Sequence, residues 1–186
     1  MTPPVAQPAL KEWSAAIHAL LAGRQTVLLR KGGIGEKRFE VAASRFLLFP
    51  TVAHSHPPRV RPEHRDLLAA AAQDSTDDTV TLRAGARVVA AVEVRRPENL
   101  DAIAAHHIWT DESIRADRLD FRPRHRLAAL VVSAAPLLEP LRLQRTAEHR
   151  GCSSWVTLPV DPEWGAPVHR ADALETIAEQ VRVSVG

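Results

Sequence analysis

The sequence predicts an α+β domain built on a mixed, largely antiparallel curved sheet with flanking helices, and three observations predict it. Strand-like apolar runs outnumber helical stripes, the main stripes sit near the two ends of the chain, and strands and helices do not alternate as a doubly wound fold requires. The 186 residues, 45% hydrophobic and 25% charged, suit one compact domain with a core of its own.

Taken in order, Met1 to Pro8 holds three prolines and no periodic apolar residue, so residues 1–8 read as a disordered arm and residues 9–186 as a single globular domain. Leu10, Trp13, Ile17, Leu20 and Leu21 follow helical spacing, which predicts an amphipathic helix that Gly23 ends. Thr26 to Arg30 reads as a buried strand running into Lys31-Gly32-Gly33-Ile34-Gly35. Phe46 to Phe49 is a second strand, stopped by Pro50 and leaving through Thr51 to His54 into a loop. Prolines at 57, 58 and 62 keep the chain extended until a helix over Glu63 to Gln73. Thr79 to Arg83 and Arg87 to Val94 read as a hairpin about Ala84-Gly85-Ala86. Pro97 to Ala105 is a short helix with proline in its first turn, and Leu127 to Val132, Leu137 to Leu143 and Trp155 to Val160 are extended segments. The last helix, Asp172 to Arg182, carries Leu174, Ile177 and Val181 on one face.

Composition narrows the function classes. The run Leu127 to Val132 ends at Ser133, far short of the roughly 18 to 20 apolar residues of a spanning helix. With no secretory pattern at the start, the expected location is the cytoplasm. One cysteine, Cys152, closes no internal disulfide and builds no cysteine-rich zinc site. The 24 cations include only three lysines, Lys11, Lys31 and Lys37, so the rest are arginines. Two explanations stay open for that skew: planar recognition of phosphate and base edges, or the coding bias of a GC-rich genome. A formal net charge of +2 excludes general coating of duplex DNA and requires any basic surface to be local.

Several constellations could carry chemistry. Lys31-Gly32-Gly33-Ile34-Gly35 could cradle an anion on backbone N–H groups, or be a turn that needs positive φ; it lacks the Gly-Lys-Ser/Thr ending of a Walker loop. His54, His56 and His64 have metal-compatible spacing but no carboxylate or cysteine beside them, so no metal is expected. Thr110 can cap a helix beginning at Asp111. Trp109 and Trp155 could stack a base or belong to the core, Trp13 reads as core and Trp164 as a peripheral loop residue. Cys152 and Ser154, near His149, lack a nucleophile elbow. Asp78 with Glu93-Val94-Arg95 mimics a nuclease motif, but arginine replaces the usual lysine and cannot act as a base.

The blocks Leu10-Lys11-Glu12-Trp13, Gly23-Arg24-Gln25, Leu28 to Ile34, Phe46 to Thr51 with His54, His106 to Asp111, and Gly151-Cys152 with Ser154-Trp155-Val156 and Leu158-Pro159 together resemble the bacterial family called domain of unknown function 1802. The resemblance covers almost the whole chain; departures fall at Val52, Ser55 and Ser153. Relatives fused to restriction-endonuclease-like domains imply DNA handling, restriction-modification or phage defence. Gly23 and Arg30 also resemble the opening of ASCH domains, PUA-like β-barrels that bind RNA or modified bases. Gln25 and Leu28 stand where that pattern has its lysine and glutamate, which argues against its hydrolase chemistry. What the two resemblances imply is a PUA-like barrel as the alternative form of the curved sheet, and a nucleic-acid or modified-nucleotide binding module. Arg24, Arg30, Lys31, Thr51, His54, His107 and Trp109 are the expected ligand-binding residues, with no cofactor. Two other readings stay open: a hydrolase or nucleotide-modifying enzyme using His54 or His107 as general base, and a protein-interaction scaffold. The oligomeric state is left open.

Overall fold

Period-two burial builds the centre of the molecule. In the computed structural model, which describes residues 5–32, 39–52, 56–121 and 123–186, the strands are β1 (Gln7–Trp13), β2 (Val27–Lys31), β3 (Arg45–Thr51), β4 (Thr79–Glu93), β5 (Leu127–Gln144) and β6 (Trp155–Leu158). They form one sheet in the order β2-β5-β4-β3-β1-β6. Only β1 and β3 run parallel; the other neighbours are antiparallel. Register shifts between Leu82 and Ala84 and between Val88 and Ala90 let the two long strands β4 and β5 bend. This is the mixed, largely antiparallel sheet of an α+β domain, with β2 and β6 at its edges among the described residues.

Alternation along the strands divides the apolar residues between packing layers. Val27 and Leu29 of β2 face a cluster with Val131, Ile103, Ile108 and Trp109. Leu28 faces the opposite way, into a cluster with Leu10, Leu48 and Leu130. Helix α1 (Ser14–Leu21) covers both, giving Ala15, Ala16 and Ala19 to the first and Ile17 and Leu20 to the second. Gly23 follows it at φ +75° and ends it as the sequence predicts. Two short helices, α2 (His56–Arg59) and α3 (Leu68–Ala72), flank a 3-10 turn at Pro62–Leu67; α4 (Asp111–Ile114) starts after Thr110. The terminal helix α5 (Ala171–Val185) seats Leu174, Ala178, Val181 and Val185 on the first layer. No helix among the described residues is long and apolar enough to cross a membrane.

Several expectations need correction. Leu10 and Trp13 belong to a strand and not to the first helix, because the intervening Lys11 and Glu12 are buried and do not face solvent. The strand also takes up Gln7 and Pro8, which the sequence assigns to a disordered arm; residues 1–4 lie outside the described residues. Pro50 does not stop β3, since β4 pairs only as far as Leu47 and makes no demand on a backbone N–H at position 50. Pro57 and Pro58 sit in α2 and not in an extended segment. The expected hairpin at Ala84-Gly85-Ala86 is one unbroken strand, and likewise the two segments from Leu127 to Leu143 are one.

Gly85 marks a close packing approach, not a turn. A Cβ there would lie 2.1 Å from Cζ2 of Trp164. Trp164 is thus a wedge laid on the sheet, with the Arg45 guanidinium 3.8 Å from its ring centre, and not a peripheral loop residue. Gly85→Ala is expected to destabilise the fold by about 1–3 kcal/mol in urea unfolding. In Trp164→Ala the same glycine substitution should cost much less; equal costs in the two backgrounds would show that the indole is not the cause.

Candidate functional site

The carboxyl ends of the parallel strands β1 and β3 form one pole of the sheet, and the tripeptide Lys11-Glu12-Trp13 is its seam. Successive strand residues point to opposite faces, so Lys11 and Glu12 enter different environments.

On one face Glu12, only 3% exposed, accepts from the Trp13 backbone N–H at 2.8 Å and from the Arg30 guanidinium at 3.1 Å. Arg30, 14% exposed, also donates to the Lys11 carbonyl and lies 5.1 Å from the Phe39 ring centre. Arg118 donates to the Leu29 carbonyl; burial pushes its pKa down, with Glu12 opposing and Arg30 reinforcing the shift. The Arg59 and Arg118 guanidinium groups lie 5.1 and 5.8 Å from the centre of a Trp13 ring, and Trp109 meets Trp13 edge-on at 4.9 Å. Lys31 donates to the carbonyls of Arg118 and Phe121, closing the end of the helical turn Arg115–Asp120. Arg30, Lys31 and Trp109 therefore do gather around the end of β1. The cavity bounded by Trp13, Trp109, Asp117 and Arg118 holds only ≈ 10 Å³, which is no room for a ligand.

The other expected residues are dispersed. Arg24 makes a two-pronged pair with Asp66 on the surface, at 2.7 and 2.9 Å. His107 is fully buried; its Nδ1 accepts from the Trp109 backbone N–H, its carbonyl takes Arg61, and its Nε2 has no partner. Burial, with Arg61 next, pushes its pKa down to about 3. A sealed, neutral ring cannot reach a substrate, which removes His107 both as ligand contact and as general base. Trp109, 5% exposed, has the core role and not the stacking role. Thr110 caps α4 as predicted, accepting from Ser113 N. His54, and Gly33 to Gly35 of the glycine-rich turn, lie outside the described residues. His149 accepts from Thr146 N within its own turn, and Glu93 pairs with Arg126 and also lies 3.7 Å from Arg95.

Across the seam, on the face that Lys11 enters, lies a hollow of ≈ 640 Å³ lined by Thr51, Ser75, Thr76, Asp77, Arg145 and Arg150, with Val52 at its edge. Thr51 ends β3 and donates to the Glu12 carbonyl, tying the hollow to the seam. The segment Ser75 to Asp77 is held from behind: Asp74, almost fully buried, takes Arg83 Nε on both oxygens at 2.8 Å and has His18 Nε2 at 2.6 Å. Arg145 is fixed by bonds to the Thr76 carbonyl and Ser75 Oγ, and by Phe49, whose ring centre lies 5.7 Å away. Lys11 reaches the Gly151 carbonyl at 3.1 Å; burial and then Arg145 lower its pKa. His149 is lowered in the same way, by burial, Arg145 and Lys11. Of the expected residues, Thr51 lines this hollow. Arg145 and Arg150 also line it and were missed because they look like ordinary surface arginines.

The family profile described as Domain of unknown function (DUF1802) matches residues 9–180. Among solved structures, ASCH from Zymomonas mobilis aligns at 11% identity and TM-score 0.49, covering 92% of this chain and 93% of that one. A point variant of that protein aligns at 12% identity and TM-score 0.48, covering 92% and 96%. A search of the curated proteins finds no match.

Arg30→Met leaves Glu12 buried without its closest cation and is expected to destabilise the fold by about 3 kcal/mol in chemical unfolding. Adding Glu12→Gln, which keeps an acceptor for Trp13 N, should return part of that loss. The folded pKa of His107 lies below its ordinary 6.5, so below that pH the unfolded chain takes up a proton that the folded chain refuses. Its contribution is a loss of stability of up to about 1.4 kcal/mol per pH unit as pH falls from about 6.5 toward about 3. His107→Asn, which preserves an acceptor for Trp109 N, should flatten the stability profile over that window; an unchanged profile would assign the loss to other groups.

Proposed function

The chain belongs to the family described as Domain of unknown function (DUF1802), and within it we propose that this protein is a binding module for nucleic acid or a nucleotide, with the hollow at the end of β3 as its site. One observation carries this reading: a cavity of nucleotide size lined by Arg145 and Arg150, with Asp77 as the carboxylate on its lining and Lys11 bonded to the Gly151 carbonyl next to Arg150. Arg145 works against the charge of Lys11; an anion relieves that opposition, and a polyanion supplies one. Hydroxyls of Thr51, Ser75 and Thr76 add neutral donors and acceptors for sugar and phosphate oxygens. In this reading Arg30, Lys31 and Trp109 hold the pole in shape, and Thr51, Arg145 and Arg150 meet the ligand. Arg24 stands apart on the surface with Asp66 and contributes at most to long-range attraction.

Binding of single-stranded oligonucleotides, followed by anisotropy across a salt series, tests the proposal. With two to three phosphate contacts, log K should fall against log salt with a slope of about −2, and Arg150→Ala should make that slope shallower by about 0.7. Salt-independent binding, or none from folded protein, would sink it.

A further inference from the structure

The chemistry of the same hollow narrows its ligand further, and this step rests on the reading just given. None of the described residues lining the cavity is aromatic, and Val52 is the one apolar side chain among them. Base recognition by stacking needs a flat π-face, which this wall lacks. Trp109, the nearest expected stacking platform, is buried against Trp13 on the other face of the seam. Phe49 is covered by Arg145 and Lys11's neighbour His149, whose ring centre lies 5.1 Å from it.

The cations on that wall, by contrast, are two arginines of one short chain segment, Arg145 and Arg150. Arg145 and Arg150 flank the single helical turn Ala147–His149, and Lys11 lies beneath Gly151, the residue that follows Arg150. Arg145 has its Nε and Nη2 committed to Thr76 and Ser75, which orients the guanidinium while Nη1 has no protein partner among the described residues. Arg150 has no carboxylate partner among them either. An internal phosphodiester offers one negative charge and two free oxygens. A terminal phosphate monoester carries close to two charges at neutral pH and three acceptor oxygens, which matches two guanidinium groups on one wall.

We infer that the hollow is a receptor for the terminal phosphate monoester of a nucleic acid or nucleotide, gripped by Arg145 and Arg150 with little regard to the base. Asp77 stands on the same wall, placed to accept from a sugar hydroxyl next to that phosphate and to repel a second phosphate.

The full-length chain is titrated with one single-stranded 12-mer sequence bearing a 5′-phosphate, a 3′-phosphate or hydroxyls at both ends, at a single salt concentration. One phosphorylated form is expected to bind about tenfold more tightly than the hydroxyl form, equally for an all-adenine and an all-uracil strand. Inorganic phosphate should compete. Arg150→Ala should erase the preference and Arg150→Lys should restore part of it, with circular dichroism showing both variants folded. Equal binding of all three strands would overturn this inference and leave the nucleic-acid reading intact, whereas no binding of any strand would overturn both. A preference that survives Arg150→Ala, or that follows the base and not the phosphate, would also refute it.

Discussion

Burying Lys11 and Glu12 side by side in β1 is the constraint around which the pole of this molecule is organised. Two adjacent charges in a strand point to opposite faces, so neither can neutralise the other, and each must find compensation on its own side of the sheet. Glu12 finds it in Arg30, in the Trp13 N–H and in the field of Arg118. Among the described residues Lys11 bonds the Gly151 carbonyl and has Cys152 in its favour, with Arg145 working against it. The same strand therefore builds a satisfied knot on one face and an excess of positive charge on the other. Burial without full compensation is tolerated where a ligand completes the set, which is why the proposed site lies on the incomplete face and not the complete one.

Legibility in the sequence followed the same division. Strands that alternate or run apolar, such as Val27–Lys31 and Trp155–Leu158, and the amphipathic terminal helix could be placed from local pattern alone. The first strand could not, because Leu10, Trp13 and Ile17 have helical spacing and a buried Lys-Glu pair looks like a solvated one. Gly85 invited a hairpin because a glycine's need for space against a side chain eighty residues away leaves no local trace. Family blocks located the right neighbourhoods, since Leu10 to Trp13, Arg30 and Thr51 do meet at one pole. They did not say which side chains face a cavity. Arg145 and Arg150 lie between blocks, in a stretch where nothing but the fold brings them to Thr51.

The arginine excess also takes on structural meaning. Much of it is consumed by the fold itself: Arg30 on Glu12, Arg83 on Asp74, Arg59 on Asp117, and Arg118 and Arg61 on backbone carbonyls. A guanidinium suits these roles because it keeps its charge when buried and offers several donors in one plane, where an ammonium would lose its proton more readily. A coding bias toward arginine is thus compatible with specific use, and the count of arginines by itself says nothing about nucleic acid. What bears on function is placement and not number: among the described residues Arg145 and Arg150 have no acid partner and line one hollow, whereas Arg45, Arg87, Arg115, Arg124 and Arg142 also lack one and are not on its lining.

Those two groups of arginines also weigh the alternative of a pure interaction scaffold. Burial of Arg30, Trp109 and Thr110 with almost no space between them is what a scaffold requires, and taken alone that side of the pole would favour it. A scaffold has no reason, however, to fix Arg145 by two hydrogen bonds and an aromatic ring while leaving it facing ≈ 640 Å³ of open space beside a second, unpaired arginine. Restraining a long side chain costs conformational entropy of about 1.5–2 kcal/mol. In a purely structural role, Arg145 would be better placed against a carboxylate. Held in advance toward a cavity, it lowers the ordering cost of an anion's arrival, which is the physical content of a preorganised binding site.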